Sequence, residues 1–247
     1  MLKIENFEVM GWEHAIRGMR NPKNSWEKSD SEYCEFNGNC DDCNNFSICI
    51  PNFEPYFMRF WEGRHIDCDF AIGHNDHSLM MTLRNAGTDH RKFMRMITVY
   101  LDITAPLYWW KEFDTYKVGT VANSCSTMHK IHAKEFNTSD FSCEHLFGFG
   151  ERTKYREENP WDVLQGVIDC LNYCRDKYLE TNDKKYWWQM IQLLPSSYNQ
   201  MRTVMLNYEV LANIYKSRKD HKLDEWHTFC DWIKSLPYSE LIIGDLA

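Results

Sequence analysis

The sequence lacks a long apolar run. No stretch of the 247 residues approaches the uninterrupted hydrophobic length that a transmembrane helix requires. Charged Lys3 and Glu5 stand near the N-terminus, where a signal peptide would place its apolar core. We therefore expect a cytoplasmic protein with no membrane partner.

The chain is also poor in proline and has no internal repeat, low-complexity tract or Pro/Ser-rich linker. It contains only 7 prolines, and its length suits a single sizeable core with a small appendage. This composition favours a single main domain over a many-domain protein. The pattern of elements alone predicts an N-terminal cap over residues 1–75 and a main domain over residues 76–247.

Basic residues are in the minority. The 28 Lys and Arg stand against 36 Asp and Glu, which gives a formal net charge of −8. A negative protein repels a phosphate backbone unless a local basic patch overrides the repulsion. Nucleic acid is therefore not expected as a partner.

Cysteine, by contrast, is plentiful, and four of the 10 cysteines fall within one polar loop. Their spacing is C-x5-C-x2-C-x5-C, and the positions are Cys34, Cys40, Cys43 and Cys49. Four thiolates so close together can wrap one ion, and tetrahedral sulfur ligation suits Zn²⁺ or an iron–sulfur cluster. We favour structural zinc, with free surface cysteines as the alternative.

The order of predicted elements is that of an α+β fold. A strand rich in β-branched residues is predicted over 96–104, and residues 114–126 read as an exposed polar loop. Turn, Pro and Gly signals delimit the helices. The predicted helices are 12–20, 77–85, 107–113, 160–179, 184–194, 197–217 and 223–236.

The predicted helix 197–217 places two polar residues on an apolar face. Asn207 and Arg218 are eleven positions apart, about 16 Å along the axis, so they cannot satisfy one another. They are either capped by neighbouring backbone or directed into a ligand pocket. The pattern favours neither interpretation.

The polar loop also carries Cys125, which is either a nucleophile or an inert buried thiol. Three histidines, His74, His77 and His90, lack a carboxylate at a recognised metal-site spacing. We therefore expect them to be ordinary core or surface residues.

Two segments resemble the flavin-dependent thymidylate synthases. In that family a strand leads into Ala-Pro and an aromatic helix, as at 105–108 here, and a loop with Arg-His-Arg and then a serine follows. Aligned without a gap, the triplet falls on 115–117 and the serine on Cys125. Leu-Pro at 194–195 and an Asn-x5-Asn-x4-Arg pattern at 207–218 also match.

The resemblance implies a flavin-dependent thymidylate synthase-like fold and a role for each matching residue. It implies cofactor-binding roles for His90, Tyr116, Lys117, Asn207 and Asn213. It implies substrate-binding roles for Glu112, Asn123 and Arg218. Arg218 would meet the pyrimidine ring where negative charge develops, and Cys125 would allow a covalent variant of the reaction.

The sequence departs from the family at two arginines that grip the substrate phosphate. These positions are Thr127 and Ile191 here. Each charge-assisted contact is worth on the order of 1.5–3 kcal/mol, so a nucleotide monophosphate should bind much more weakly. Lys117, Lys130 or Arg202 would have to compensate.

The resemblance implies transfer of a one-carbon unit from methylenetetrahydrofolate to C5 of a pyrimidine deoxynucleotide, from dUMP to dTMP. FAD would be the cofactor, NADPH the reductant and a homotetramer the assembly. The alternatives are a related enzyme acting on another pyrimidine nucleotide and a catalytically silent protein that binds a nucleotide or a partner.

Overall fold

The computed structural model describes residues 1–33, 70–148 and 159–244. The described strands are β1 (Lys3–Met10), β2 (Glu32–Tyr33), β3 (Phe70–Ala71), β4 (Thr98–Pro106), β5 (Val121–Ser124) and β6 (Asn199–Asn207). Four of them form one sheet in the order β1-β4-β6-β5, and β2 and β3 form a short antiparallel pair. The central strands β4 and β6 carry the alternating buried residues of a half-buried sheet.

Helices occupy much of the rest of the described chain, so the predicted α+β class is confirmed. The described α-helices are α1 (Trp12–Arg20), α2 (His74–Asn85), α3 (Leu107–Phe113), α4 (Pro160–Thr181), α5 (Lys184–Leu193), α6 (Tyr208–Arg218), α7 (Asp224–Lys234) and α8 (Glu240–Ile243). None of the described helices has the length and apolarity to cross a membrane.

Two predicted helices have the expected bounds and four differ by at most three residues at an end, because turn chemistry defines their ends. The Asn159 side chain accepts a hydrogen bond from the Asp162 backbone at 2.9 Å, and Pro160 opens α4. Helices α1 and α3 begin and end as the sequence predicts.

The predicted helix over 197–217 is wrong in its first half. Residues 199–207 form β6, and the helix begins only at Tyr208. Gln200, Val204 and Leu206 are buried while Met201 and Thr203 are exposed, which is the two-residue period of a strand. Asn207 and Arg218 therefore do not share one face of a continuous helix.

The N-terminal strand was not predicted from the sequence. Residues 3–10 lie within the segment assigned to a cap, yet they form an edge strand of the four-stranded sheet. The four cysteines proposed as metal ligands lie outside the described residues. So does most of the proposed cap, and its boundary at residue 75 stays a prediction.

The contact pattern divides the chain into two compact units. The first unit comprises 1–5, 102–115 and 122–204, and the second comprises 6–101, 116–121 and 205–247. In the first unit α4 packs against α5, and a core cluster is centred on Leu171 and Met190. In the second unit α6 packs against α7 and α8.

One buried carboxylate organises the start of α2 in the second unit. Asp76 has no exposed surface and accepts hydrogen bonds from the hydroxyls of Ser29 and Ser31 and from Arg20 Nε, each at 2.6 Å. Burial raises the pKa of this carboxyl, but the bonds from Ser29, Ser31 and Arg20 outweigh burial. The pKa of Asp76 is therefore held below its ordinary value of 3.8.

Candidate functional site

In the second unit the loop segment 116–121 lies alongside helix α6. Gly119 faces the start of the helix, where an added Cβ would come within 2.9 Å of Asn207 Nδ2. The backbone φ of Gly119 is +82°, a conformation that favours glycine. Tyr116 meets the other end of the helix, where its hydroxyl accepts a hydrogen bond from Arg218 Nε at 3.0 Å. The structure thus brings the two sequence motifs together.

Arg218, the last residue of α6, lies between aromatic rings. Its guanidinium carbon is 4.8 Å from the ring centroid of Trp226 and 5.7 Å from that of Tyr116. Trp226 is fully buried, and the two rings meet edge to face at 6.3 Å. A guanidinium stays charged under all working conditions and is attracted to aromatic faces. These contacts fix a permanent positive charge at the end of the helix.

Asn207 is the N-cap residue of α6. Its side-chain oxygen accepts a hydrogen bond from the Val210 backbone at 3.0 Å, and only 8% of the residue is exposed. The sequence left open whether Asn207 pairs with neighbouring backbone or faces a ligand pocket. Its side-chain oxygen pairs with the backbone, because it caps the helix. A role for its amide nitrogen toward a flavin stays a prediction.

Asn213 lies on the exposed side of α6, where Arg91 reaches it. Arg91 Nη2 donates to Asn213 Oδ1 at 3.5 Å and to Glu209 Oε1 at 3.2 Å. Arg91 Nε also lies 2.8 Å from Glu209 Oε2, as an ion pair without a well-directed hydrogen bond. Sequence reasoning missed both Arg91 and Glu209. The only local signals are that Arg91 follows His90 and that Glu209 lies in the first turn of α6.

The other two cofactor-binding candidates are at the surface of the second unit. His90 immediately precedes the short 3-10 turn Arg91–Arg95 and is exposed. Lys117 is exposed beside Tyr116 in the loop segment. Both side chains are accessible to a ligand. Their exposure does not test the predicted cofactor-binding roles.

Three candidates belong to the first unit. Glu112 is half-buried near the end of α3, and Asn123 is exposed on strand β5. Cys125 follows that strand and is exposed, so the interpretation of an inert buried thiol is wrong. Whether its thiol acts as a nucleophile stays a prediction.

Backbone and side-chain hydrogen bonds hold the backbone of Cys125. The Cys125 N–H donates to the carbonyl of Met201 at 2.9 Å, and the Cys125 carbonyl accepts from Gln200 Nε2 at 2.8 Å. Gln200 is buried, and its Oε1 accepts from Arg202 Nε at 3.0 Å. The segment that carries the exposed thiol is thus fixed at two backbone groups.

Arg202, a candidate to replace a missing phosphate anchor, already has partners. It forms an ion pair with Asp114 at 2.7 Å, and its guanidinium lies 4.2 Å from the ring centroid of Trp110. A phosphate would therefore compete with Asp114 for the guanidinium of Arg202. Ile191 packs against the core cluster of the first unit, whereas Lys130 is exposed.

One of the three histidines that the sequence presents as ordinary residues is paired with a carboxylate. His77 Nε2 lies 2.7 Å from Glu240 Oε1 in the second unit. Among residues 1–33, 70–148 and 159–244, no three His, Cys, Asp or Glu side chains come together as a metal site. Cys34, Cys40, Cys43 and Cys49 lie outside these ranges.

Comparison with solved structures identifies the fold as that of the flavin-dependent thymidylate synthases. One match is thymidylate synthase X from Helicobacter pylori with FAD and dUMP, with a TM-score of 0.59, 13% identity and 98% coverage of both chains. A second structure of the Helicobacter pylori enzyme with FAD and dUMP gives a TM-score of 0.58 at 13% identity, covering 98% of this chain and 97% of that one. No family model and no curated protein matches the sequence.

Proposed function

We propose that the protein transfers a one-carbon unit from methylenetetrahydrofolate to C5 of a pyrimidine deoxynucleotide, converting dUMP to dTMP with FAD and NADPH. The shared fold supports this proposal. The observation that carries it is the 3.0 Å hydrogen bond from Arg218 to Tyr116. That bond joins the two segments in which the sequence resembles the flavin-dependent thymidylate synthases.

The donor set of the second unit fits a flavin nucleotide. The exposed amide of Asn213, the exposed ring of His90 and the exposed ammonium of Lys117 can bond to carbonyl and phosphate oxygens. Together with Tyr116 and Asn207, they are the residues that we propose hold FAD. When bound, FAD would supply the reducing equivalents that convert the transferred carbon into a methyl group.

Arg218 has the proposed role of binding and activating the pyrimidine ring. Its N–H groups would donate to O2 of the pyrimidine, near N1, where negative charge develops as the ring is activated. The contacts with Tyr116 and Trp226 hold the guanidinium in place before the substrate arrives. Preorganisation of this kind lowers the cost of aligning the charge during the reaction.

The proposed roles in the first unit concern the substrate. Glu112 and Asn123 would bind it, and the exposed thiol of Cys125 would add a covalent step if it faces the pyrimidine. Cys125→Ser tests that step, because loss of turnover with retained FAD would support it. Unchanged turnover would remove Cys125 from the mechanism.

A second candidate substrate is another pyrimidine nucleotide, and two contacts favour it. Ile191 is packed against a core cluster, and Arg202 is paired with Asp114. Ile191 has no charge or hydrogen-bond donor with which to bind a phosphate, and Arg202 is already engaged by Asp114. Parallel assays with dUMP, UMP, dCMP and deoxyuridine decide between the substrates by their kcat/KM values.

Further proposals follow from the resemblance and from the cysteine spacing. We propose a homotetramer, to be measured as molar mass in solution. We also propose zinc, or an iron–sulfur cluster, at Cys34, Cys40, Cys43 and Cys49, to be measured by metal analysis of the purified protein. Removal of the bound metal should then leave four additional reactive thiols.

The absorption spectrum of protein purified without air tests the proposed cofactor. Bands of bound flavin, present on purification or after addition of FAD, are the expected result. A protein that neither retains nor binds FAD would contradict the enzyme and favour the silent nucleotide- or partner-binding protein. Arg218→Ala serves as the matched variant, because it should keep the flavin and lose pyrimidine turnover.

A further inference from the structure

The ion pair between Arg91 and Glu209 adjoins Asn213 on helix α6. Only 18% of the Arg91 side chain and 7% of the Glu209 side chain are exposed. A carboxylate this buried requires its cationic partner, since an uncompensated buried charge is costly. Arg91 is therefore held in place by Glu209 independently of any ligand.

The contact with Arg91 allows only one orientation of the Asn213 side-chain amide. Arginine has N–H donors and no acceptor, and the amide nitrogen of asparagine is likewise a donor only. The atom of Asn213 that faces Arg91 Nη2 at 3.5 Å must therefore be the carbonyl oxygen. The amide NH2 is then turned away from Arg91, on a residue that is exposed.

We infer that Arg91 is a positioning residue, which orients Asn213 so that its amide donates to an acceptor oxygen or nitrogen of the bound ligand. This inference rests on the proposed function, in which that ligand is FAD. A flavin offers carbonyl oxygens, ring nitrogens and phosphate oxygens, and all of these are acceptors. Arg91 itself need not touch the cofactor.

A double-mutant cycle with FAD as the probe measures this role. The dissociation constant of FAD is obtained from the quenching of flavin fluorescence in the wild type, Arg91→Ala, Asn213→Ala and the double variant. Arg91→Ala should raise this constant by roughly three- to tenfold, the value of one hydrogen bond. In the Asn213→Ala background the same change should have no further effect.

Two matched variants separate positioning from folding. Lys92→Ala removes a neighbouring positive charge from the same turn and should leave FAD binding unchanged. Arg91→Lys keeps a cation opposite Glu209 but lacks the planar fork that reaches two partners. It should fold like the wild type and still weaken FAD binding.

The polarity of Asn213 has its own test. Asn213→Asp replaces the NH2 donor by an oxygen of similar size while keeping an acceptor for Arg91. This variant should bind FAD at least as weakly as Asn213→Ala, because the new aspartate oxygen would face an acceptor atom of FAD. Binding as tight as that of the wild type would contradict the assigned orientation.

The outcomes distinguish this inference from the proposed function. If the wild type binds no FAD, both are overturned. If the wild type binds FAD and Arg91→Ala has the same effect in both backgrounds, Arg91 has a structural role only. In that case the positioning role fails while the proposed function stands.

Discussion

Arg218 at the end of α6 donates a hydrogen bond from Nε to the hydroxyl of Tyr116 at 3.0 Å, although the two residues are far apart in sequence. The guanidinium also lies over the buried ring of Trp226 at 4.8 Å. A flexible side chain on a helix end is thereby confined to one region. The negative charge proposed to develop on the pyrimidine would therefore meet an arginine that is already oriented.

Removing the Tyr116 hydroxyl should therefore impair turnover without unfolding the protein. Tyr116→Phe keeps the ring beside Arg218 and loses one hydrogen bond to a charged group, which is worth about 1.5–3 kcal/mol when buried. Since the residue is half-buried, we expect roughly a tenfold fall in kcat/KM for the pyrimidine. The melting temperature should fall by only a few degrees, about 2–4 °C for each kcal/mol lost. Tyr173→Phe, at an exposed tyrosine, is the control, and equal kinetics for both variants would contradict the role of Tyr116.

The cap at Asn207 makes a separable contribution to stability. Asn207→Ala removes the acceptor for the Val210 N–H and should lower the free energy of unfolding by about 1 kcal/mol. Asn207→Ser keeps a capping oxygen and should restore most of that loss, as measured by urea denaturation. If Asn207→Ser retains stability but loses FAD affinity, the amide nitrogen serves the cofactor as proposed.

The contact of Gly119 with α6 can be tested against a second glycine of positive φ. Gly119→Ala places a Cβ 2.9 Å from Asn207 Nδ2, whereas a Cβ at Gly87 (φ +105°) would meet nothing within 4 Å. Both substitutions incur the left-handed backbone penalty of about 1–2 kcal/mol. Only Gly119→Ala should add a steric cost and displace the loop from the helix. Equal losses of stability would show that the loop contact is unimportant.

Acidification should destabilise the protein through Asp76. Its pKa is depressed in the folded state, so the unfolded chain takes up the proton first as the pH falls through 3.8. The stability that Asp76 contributes is therefore complete above this pH and is lost as the pH falls toward the lower folded value. Denaturation curves at a series of acidic pH values should show this loss in the wild type and less of it in Asp76→Asn.

At neutral pH Asp76→Asn leaves the buried Arg20 without its charged partner and should cost on the order of 3 kcal/mol. Asp114→Asn is the matched control, because the Asp114 side chain is 49% exposed in its pair with Arg202. An exposed pair of this kind contributes about 0–1 kcal/mol. A similar cost for the two variants would contradict the central position of Asp76 in its network.

The sequence predicted the helices well where turn residues mark their ends, as for Trp12–Arg20 and Leu107–Phe113. It failed for β1, where Asn6 adopts a left-handed conformation (φ 51°) and shifts the alternation of half-buried residues. It also failed for 197–207, because a strand and the helix after it were merged into one periodic pattern. The capping signal of Asn207 was present but was interpreted as part of a helical face.

For the candidate site, the family resemblance pointed to Tyr116, Asn207, Asn213 and Arg218, and their roles stay predictions. It could not identify Arg91 as the partner of Glu209, since these residues are 118 positions apart and match no local pattern. Pairings across such distances depend on how the helices pack. Only the folded structure brings these side chains together.

The most direct test of the proposed chemistry is the mass of the nucleotide after incubation of dUMP with the protein, FAD, NADPH and methylenetetrahydrofolate without air. The account predicts a product heavier by one methyl group in place of a hydrogen, and no product with Arg218→Ala. Unchanged dUMP, together with unchanged UMP, dCMP and deoxyuridine in parallel reactions, would contradict flavin-dependent one-carbon transfer to a pyrimidine.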